Sequence, residues 1–292
     1  MNKLDTKTRA QLIGCLVEGN SMRATSRLTG VAFNTVLSFV AEIGHACRKF
    51  QDETFRHLSC RRLQLDEIWQ FCYAKAKNVP EDKRDTFGYG DVWTWVAIDA
   101  DTKLVPCWLV GKRDAECAIE FVSDLAARLT HRVQITSDGH RSYLIAIENA
   151  FGADVDYAML IKQYGKSQVE SETRYSPAVC IGMETKIVAG DPDMDHVSTS
   201  YIERQNLTMR MGMRRFTRLT NGFSKKLANH AAAISLHYMH YNFCRIHKTL
   251  RVTPAMEAGL TDHVWDLEEV AALLDVNVKP MKRGAYNKKK SA

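Results

Sequence analysis

Three acidic residues, far apart along the chain, each lie in a short segment with a defined backbone preference. Asp66 lies within the run Leu-Gln-Leu-Asp-Glu-Ile-Trp, Asp138 follows Gln-Ile-Thr-Ser and precedes a glycine, and Glu203 begins a basic stretch with helical spacing. Apolar and β-branched runs that end in turn residues predict strands. We therefore assign the first two acids to strands and the third to a helix, so only a tertiary fold can bring them together.

The segments around the first two acids predict a mixed sheet. The expected strands cover residues 61–69, 91–99, 103–110 and 132–136, and a helix covers 113–129 between the third and fourth strands. The turn Asp99-Ala-Asp-Thr-Lys between the second and third strands predicts a hairpin. A meander of three strands followed by a helix and a further strand matches the start of an RNase H-like fold.

The C-terminal half of the chain predicts one more strand and two long helices. The strand is expected at residues 183–188, one helix runs from an N-cap at Ser198 or Thr199 to about Met213, and the other spans 224–241. The predicted fold is thus α/β, an RNase H-like mixed five-stranded sheet flanked by helices. We expect a catalytic domain over residues 60–260 and a C-terminal extension over 261–292 that ends in a basic tail.

The first 50 residues predict a helical domain with a helix-turn-helix motif. A small residue, a turn glycine and apolar anchors occur at the required spacing, at Ser26, Gly30, Val31, Val36 and Phe39. Residues near the start of the second helix of such a motif read base edges, which here are Asn34 and Ser38. Thr25 and Thr29 occupy positions that are more often aliphatic. A small helical bundle without a DNA role is the alternative.

Positive charge is concentrated in the second half of the chain. The formal net charge is +6, and no acidic residue occurs between Glu203 and Glu257. Positive charge without intervening negative charge favours the binding of a polyanion. The alternative is that these charges lie on helix faces exposed to solvent. The predicted DNA contacts are Asn34, Ser38, Arg204, Asn206, Arg210, Arg214, Arg215, Arg218, Lys225, Lys226, Arg245, His247 and Lys248.

The three acids suit a metal-dependent reaction on phosphodiesters. Two metal ions about 3.5–4 Å apart stabilise charge on the attacking and leaving oxygens, and Mg²⁺ or Mn²⁺ takes carboxylate ligands. Asn206 and Arg210 share the helix face of Glu203 and are placed to orient a carboxylate or a phosphate. Glu67 competes with Asp66, but strand alternation sends it to the opposite face. Taken singly, Asp66 also fits a surface acid, Asp138 a turn residue, and Glu203 an acid in the first turn of a helix.

Longer segments around these acids resemble the insertion-sequence-one family of bacterial DDE transposases. The resemblance covers about residues 61–260 and rests on Leu-Asp-Glu-Ile-Trp, Ser-Asp-Gly, Ser-Tyr-Ile-Glu-Arg-Gln-Asn, Arg-Arg-Phe-Thr-Arg-Leu-Thr-Asn-Gly-Phe-Ser-Lys-Lys and Tyr-Asn-Phe-Cys-Arg-Ile-His-Lys-Thr-Leu-Arg-Val-Thr-Pro-Ala. It implies a catalytic triad of Asp66, Asp138 and Glu203, Mg²⁺ dependence, and recognition of terminal inverted repeats. It also implies a supporting basic role for Arg210. No cysteine set matches the zinc module that many members of this family carry.

The expected function is a DNA transposase that cleaves at element ends and joins the freed 3′-hydroxyl to target DNA. The alternatives are a non-catalytic element-end or regulatory DNA-binding protein and a structure-specific nuclease with the same core. Two ends must be brought together, which favours a homo-oligomer. The chain has no signal-peptide pattern and no membrane-length apolar run. With the bacterial resemblance, we expect a cytoplasmic, nucleoid-associated protein of a prokaryote.

Overall fold

The computed structural model describes residues 3–165, 179–217 and 222–276. Their strands are β1 (Arg62–Cys72), β2 (Gly90–Asp99), β3 (Cys107–Gly111), β4 (Val133–Ser137), β5 (Val155–Gly165) and β6 (Val179–Ala189). Their α-helices are α1 (Thr6–Val17), α2 (Met22–Thr29), α3 (Phe33–Thr54), α4 (Ala115–Ala126), α5 (Ser142–Phe151), α6 (Ser200–Gly212), α7 (Leu227–Met239), α8 (Pro254–Glu257) and α9 (Leu267–Ala272).

The strands form one mixed sheet in the order β3-β2-β1-β4-β5-β6. β1, β2 and β3 form an antiparallel meander, while β4 pairs parallel to β1 and β5 pairs parallel to β4. Helices α4 and α5 make the crossovers into β4 and β5, which parallel neighbours require. The predicted succession of a meander, a helix and a further strand is thus present, and the sheet is mixed.

The sheet has six strands in the described residues, one more than the five predicted. The missed strand is β5, and the strand predicted at 183–188 lies inside β6 at the edge of the sheet. Three consecutive residues of β5, Tyr157, Ala158 and Met159, are all buried. A strand covered on both faces lacks the alternation of apolar and polar residues that identifies a half-exposed strand.

The third strand begins at Cys107 rather than at the predicted Lys103. Val105 makes its backbone hydrogen bonds with a side chain instead of a neighbouring strand. Its N–H donates to Asn242 Oδ1 at 3.0 Å, and its carbonyl accepts from Asn242 Nδ2 at 3.0 Å. Asn242 lies in a π-helical turn that continues α7. The segment before β3 is therefore fixed by a tertiary contact.

Helices cover both faces of the sheet. Leu63 and Leu65 of β1 pack with α4 and α5 in one hydrophobic cluster, whereas Ile68 packs with α6 and α7 in a second. Successive strand side chains point to opposite faces. Asp66 therefore belongs to the α6 face of β1, and Glu67 belongs to the α4 and α5 face.

The first three helices pack onto the rest of the chain. α2 and α3 are joined by a short turn in which Gly30 has a φ of 71°, and the two helices together are bent by 113°. α3 approaches α7 closely at Gly44, where a Cβ would lie 2.3 Å from the Ala232 carbonyl oxygen. Thr25 is completely buried, while Asn34 and Ser38 are exposed. Among the described residues, no single helix is long and apolar enough to cross a membrane.

Candidate active site

All three predicted acids line one pocket of about 530 Å³. Its lining residues are Asp66, Arg113, Asp138, Gly139, His140, Arg141, Leu160, Ile161, Lys162, Thr199 and Glu203. They come from β1, from the segments before α4 and after β4, from β5, and from the start of α6. The fold therefore brings together acids that lie far apart in the sequence.

Sheet register places Asp138 beside Asp66. β4 ends at Ser137, which lies opposite Leu65 on the parallel strand β1. Asp138 therefore leaves the sheet next to Asp66, at the carboxyl end of β4, and the carboxyl end of a parallel strand is where α/β sheets bind ligands. The His140 N–H donates to Asp138 Oδ1 at 2.9 Å and fixes the carboxylate as the chain turns. Because β4 stops at Ser137, Asp138 is not paired with β1, and its side chain is not held on one face of the sheet.

Asp66 accepts two hydrogen bonds that hold its carboxylate. Asn206 Nδ2 of α6 donates to Oδ2 at 2.8 Å, and the backbone N–H of Glu67 donates to Oδ1 at 2.9 Å. Burial, together with the charges of Asp138 and Glu203, raises the pKa of Asp66 to about 7 against the opposing effect of these hydrogen bonds. A bound cation would favour the ionised form of such a carboxyl.

Glu203 is held by side chains rather than by sheet register. Its Oε1 accepts a hydrogen bond from Thr199 Oγ1 at 2.6 Å and forms an ion pair with Lys162 of β5. Gln64 of β1 positions the helix that carries Glu203. Its Oε1 accepts from the N–H groups of Tyr201 at 2.9 Å and Ile202 at 3.1 Å, so it satisfies two open donors at the start of α6.

Glu67 points to the face opposite Asp66, as strand alternation predicts, but it still lies close to two of the pocket acids. Asp66, Glu67 and Asp138 each have one carboxylate oxygen that lies within 4.8 Å of the corresponding oxygens of the other two residues. Glu67 does point to the opposite face, but Asp138 lies beyond the end of β4 and is reachable from both faces. Burial raises the pKa of Glu67 to about 7, with the Asp138 charge adding to the effect.

Arg113 is the cation closest to these buried acids. Its Nε donates to Glu67 Oε2 at 3.0 Å, and its guanidinium lies 3.8 Å from Asp138 Oδ2. The guanidinium also stacks over Trp93, 4.8 Å from the ring centre. Sequence reasoning assigned no function to Arg113 or Lys162. Lys162 lies on the strand that was not predicted, and only the fold shows that Arg113 faces the acids.

The donor set of the pocket fits a divalent metal ion. Carboxylate oxygens are the ligands that Mg²⁺ and Mn²⁺ prefer. Glu67 Oε1 is buried and has no hydrogen-bond partner among the described residues. An oxygen in that state is available to a cation. Asp66, Glu67 and Asp138 could therefore hold metal; Glu203 lines the same pocket but lies outside this cluster.

The predicted DNA contacts lie mostly outside this pocket. Asn206 is buried against Asp66, Arg210, Arg215 and His247 are partly buried, and Arg218 lies outside the described residues. The exposed ones are Asn34, Ser38, Arg204, Arg214, Lys225, Lys226, Arg245 and Lys248. None of the predicted contacts within the described residues lines the acid pocket, although Asn206 is bonded to one of its carboxylates.

A larger cavity of about 890 Å³ lies between the N-terminal helices and α7. It has no acidic residue among its lining residues, and its cations are Arg23, Arg214, Arg215, Lys225 and Lys226. Ser38 lines the same cavity. Four predicted phosphate contacts and one predicted base contact thus surround a single space. It is separate from the carboxylate pocket, and of these two spaces only the carboxylate pocket is lined by acidic residues.

No protein-family model matches the chain, and no curated protein matches its sequence. Solved structures with partial similarity include two complexes. The piggyBac transposase in a cryo-EM synaptic complex with hairpin DNA is 12% identical, with a TM-score of 0.40, over 94% of this chain and 71% of that chain. The Mos1 strand transfer complex is 11% identical, with a TM-score of 0.22, over 82% of this chain and 78% of that chain. With TM-scores this low, the geometry of the site must carry the functional argument.

Proposed function

We propose that the protein is a DDE transposase of the insertion-sequence-one type with an RNase H-like core. It cleaves DNA at the ends of a mobile element and joins the freed 3′-hydroxyl to target DNA. The observation that carries this proposal is that Asp66, Asp138 and Glu203 line one pocket. These are the acids whose sequence segments resemble that family.

Asp66, Asp138 and Glu203 would hold Mg²⁺ or Mn²⁺, with two ions expected. When bound, the metal supplies charge stabilisation on the attacking and leaving oxygens of the phosphodiester. Asn206 orients the Asp66 carboxylate, and Thr199 holds that of Glu203. Reactions of this kind depend mostly on positioning and electrostatic stabilisation. These hydrogen bonds therefore contribute by keeping the ligands in place.

The two proposed steps use the same pocket. Water attacks the phosphodiester at the element end and leaves a 3′-hydroxyl, which then attacks a phosphodiester of the target. Each step makes one P–O bond and breaks another, so neither needs a protein nucleophile. Lys162 and Arg113 face the pocket and are placed to bind phosphate oxygens.

DNA is the proposed partner, bound outside the pocket by the basic surface. Support comes from the acid-free stretch between Glu203 and Glu257 and from the cavity that Arg214, Arg215, Lys225 and Lys226 line. α2 and α3 are proposed as a helix-turn-helix that presents Asn34 and Ser38, which are exposed. Synapsis of two ends implies a homo-oligomer, and the family resemblance implies a prokaryotic, nucleoid-associated protein.

A strand-transfer assay tests the proposal. Purified protein is incubated with labelled DNA from both flanks of its coding sequence, a target plasmid and Mg²⁺. We expect joined product with the wild-type protein, dependent on Mg²⁺, and none with Asp66→Asn, Asp138→Asn or Glu203→Gln. Glu148→Gln, an exposed acid of α5 outside the pocket, serves as the control and retains activity.

The assay also separates the rival functions. Cleaved DNA without joined product from the wild-type protein would indicate a structure-specific nuclease. Binding of the flank DNA with no chemistry, equal in the wild type and the Asp66→Asn variant, would indicate a regulatory DNA-binding protein. Either result contradicts the transposase proposal.

A further inference from the structure

We propose that Glu67 is a fourth carboxylate of the metal site, and that it binds the same divalent ion as Asp66 and Asp138 from the opposite face of β1. The inference rests on the proposed metal-dependent function and adds to it a ligand that the family resemblance does not supply. It concerns the metal-binding state of the protein and can be tested without DNA.

Asp138 lies just beyond the end of β4, beside the residues of β1 that carry the two neighbouring acids. Neighbouring residues of a strand normally cannot share a ligand, because their side chains point to opposite faces. Here β4 ends at Ser137 beside Leu65, so the sheet is open next to Asp66 and Glu67. Asp138 lies at that opening. One oxygen each of Asp66, Glu67 and Asp138 consequently lie within 4.8 Å of one another.

The Glu67 carboxylate is buried, and only one of its two oxygens accepts a hydrogen bond in the described residues. Its side chain is 1% exposed, and its Oε2 accepts a hydrogen bond from Arg113 Nε at 3.0 Å. Oε1 is buried and makes no hydrogen bond in the described part of the chain, although the buried Tyr143 hydroxyl, which also makes none, is near enough to lower the pKa of Glu67. A buried acceptor that lacks a partner is destabilising. A cation shared with Asp66 and Asp138 would satisfy it.

A purely structural role for Glu67 accounts for less. An anchor for Arg113 needs only one carboxylate oxygen, and the distance of 3.0 Å already provides that contact. It leaves Oε1 to the buried Tyr143 hydroxyl, which makes no hydrogen bond in the described residues. It also places a buried acid beside Asp66 and Asp138, where Arg113 offsets part of the repulsion between like charges. A shared metal ion would bind Oε1 and offset the rest.

The test is Mn²⁺ binding to the purified full-length protein, stripped of metal and free of DNA. Free Mn²⁺ is measured by electron paramagnetic resonance during titration. Tryptophan fluorescence is recorded in parallel, because Trp93 lies under Arg113. The decisive variant is Glu67→Gln, which keeps the side-chain shape and an acceptor for Arg113 but removes the charge. Glu67→Ala removes both, and Glu148→Gln is the matched control on the surface of α5.

We expect both Glu67 variants to bind Mn²⁺ about tenfold more weakly or worse, since loss of even an outer contact to a metal site costs about 10–100-fold. Glu148→Gln should bind as the wild type does. Circular dichroism checks that each variant is folded. If Glu67→Ala does not fold, the result with Glu67→Gln decides the question.

Two results would overturn the inference, and they differ in what they say about the function. Unchanged Mn²⁺ affinity in Glu67→Gln, with affinity lost in Asp66→Asn, means that Glu67 only anchors Arg113, and the proposed function stands. Absence of Mn²⁺ binding by the wild-type protein overturns the inference together with the metal dependence of the proposed function.

Discussion

The two sides of the pocket hold their carboxylates in different ways. Asp66, Glu67 and Asp138 are fixed by the pairing of β1 with β4 and are partly or fully buried. Glu203 is exposed, and the hydroxyl of Thr199 at the start of its own helix and the amine of Lys162 on β5 hold it. Backbone pairing sets the main-chain positions of the first group, with Asn206 and Arg113 adding side-chain contacts, whereas Glu203 depends on side-chain contacts alone. We expect the first metal ion to bind on the buried side.

The largest expected effect comes from removing a carboxylate from either side. Asp66→Asn should lower strand transfer about a thousandfold or more, because several kcal/mol of charge stabilisation is lost, and Mn²⁺ binding should be lost as well. Glu203→Gln should lower strand transfer equally but retain measurable Mn²⁺ binding, since the buried acids remain. Titration of both variants with Mn²⁺ measures the difference. Loss of all binding in Glu203→Gln would contradict the division into two sides.

Asn206→Ala should have the next largest effect. The variant removes the donor that orients Asp66 Oδ2, and loss of such a supporting contact weakens metal binding about 10–100-fold. Mn²⁺ titration measures the change. Thr208→Ala is the matched control on the same helix, because the Thr208 hydroxyl bonds only the Arg204 carbonyl. Equal effects of the two substitutions would indicate general damage to α6.

The buried side should also respond to pH near neutrality. Burial raises the pKa of Asp66 and Glu67 to about 7, so protons compete with metal below that pH. Mn²⁺ affinity should fall as pH is lowered from 8 to 6, by up to about tenfold per pH unit for each proton displaced. Titrations at several pH values measure this. Glu203→Gln should show the same dependence.

The same pKa shifts predict how stability changes with pH in the metal-free protein. A carboxyl whose pKa is raised on folding stabilises the protein at low pH, and that contribution is lost as pH rises through about 7. Glu67→Gln carries no charge to bury, so the excess of its Tm over that of the wild type should grow from pH 5 to about 7 and level off above that pH. About 1 kcal/mol corresponds to roughly 2–4 °C in a domain of this size. A constant Tm difference in EDTA would contradict the prediction.

Lys162→Met should have the smallest effect and the opposite sign. Lys162 forms an ion pair with Glu203 that a metal ion must displace, and partly exposed ion pairs contribute about 0.2–1 kcal/mol. Mn²⁺ affinity should therefore rise roughly two- to fivefold. Lys186→Met, an exposed lysine of β6, provides the control. Weaker Mn²⁺ binding in Lys162→Met would show that the lysine supports the geometry of Glu203.

The sequence was sufficient to place the three acids but not their supports. Asp66, Asp138 and Glu203 stand in local segments whose backbone preference is strong, so their strand, strand-end and helix positions could be predicted. β5 could not be recognised, because its buried centre has no alternation, and Lys162 was missed with it. The apolar stripe of α5 followed by the run from Tyr157 to Ile161 was the available signal for a second crossover.

Glu67 shows a different kind of failure. Strand alternation correctly assigned it to the opposite face, but that rule says nothing about where the neighbouring strand ends. The end of β4 at Ser137 is a property of the sheet and cannot be read from β1. The contacts of Gln64 with Tyr201 and Ile202 likewise join residues far apart in the sequence. Such supports become visible only when the fold is known.

The side-chain amide of Gln64 links the strand that carries Asp66 to the helix that carries Glu203. It lies two residues before Asp66 on β1 and binds the first turn of the helix that carries Glu203. α6 cannot swing away from the sheet at this end unless two hydrogen bonds to one oxygen break together. The spacing between Asp66 and Glu203 is thus set by a direct link between β1 and α6. If the proposed DNA substrate displaces α6, the displacement is transmitted to β1.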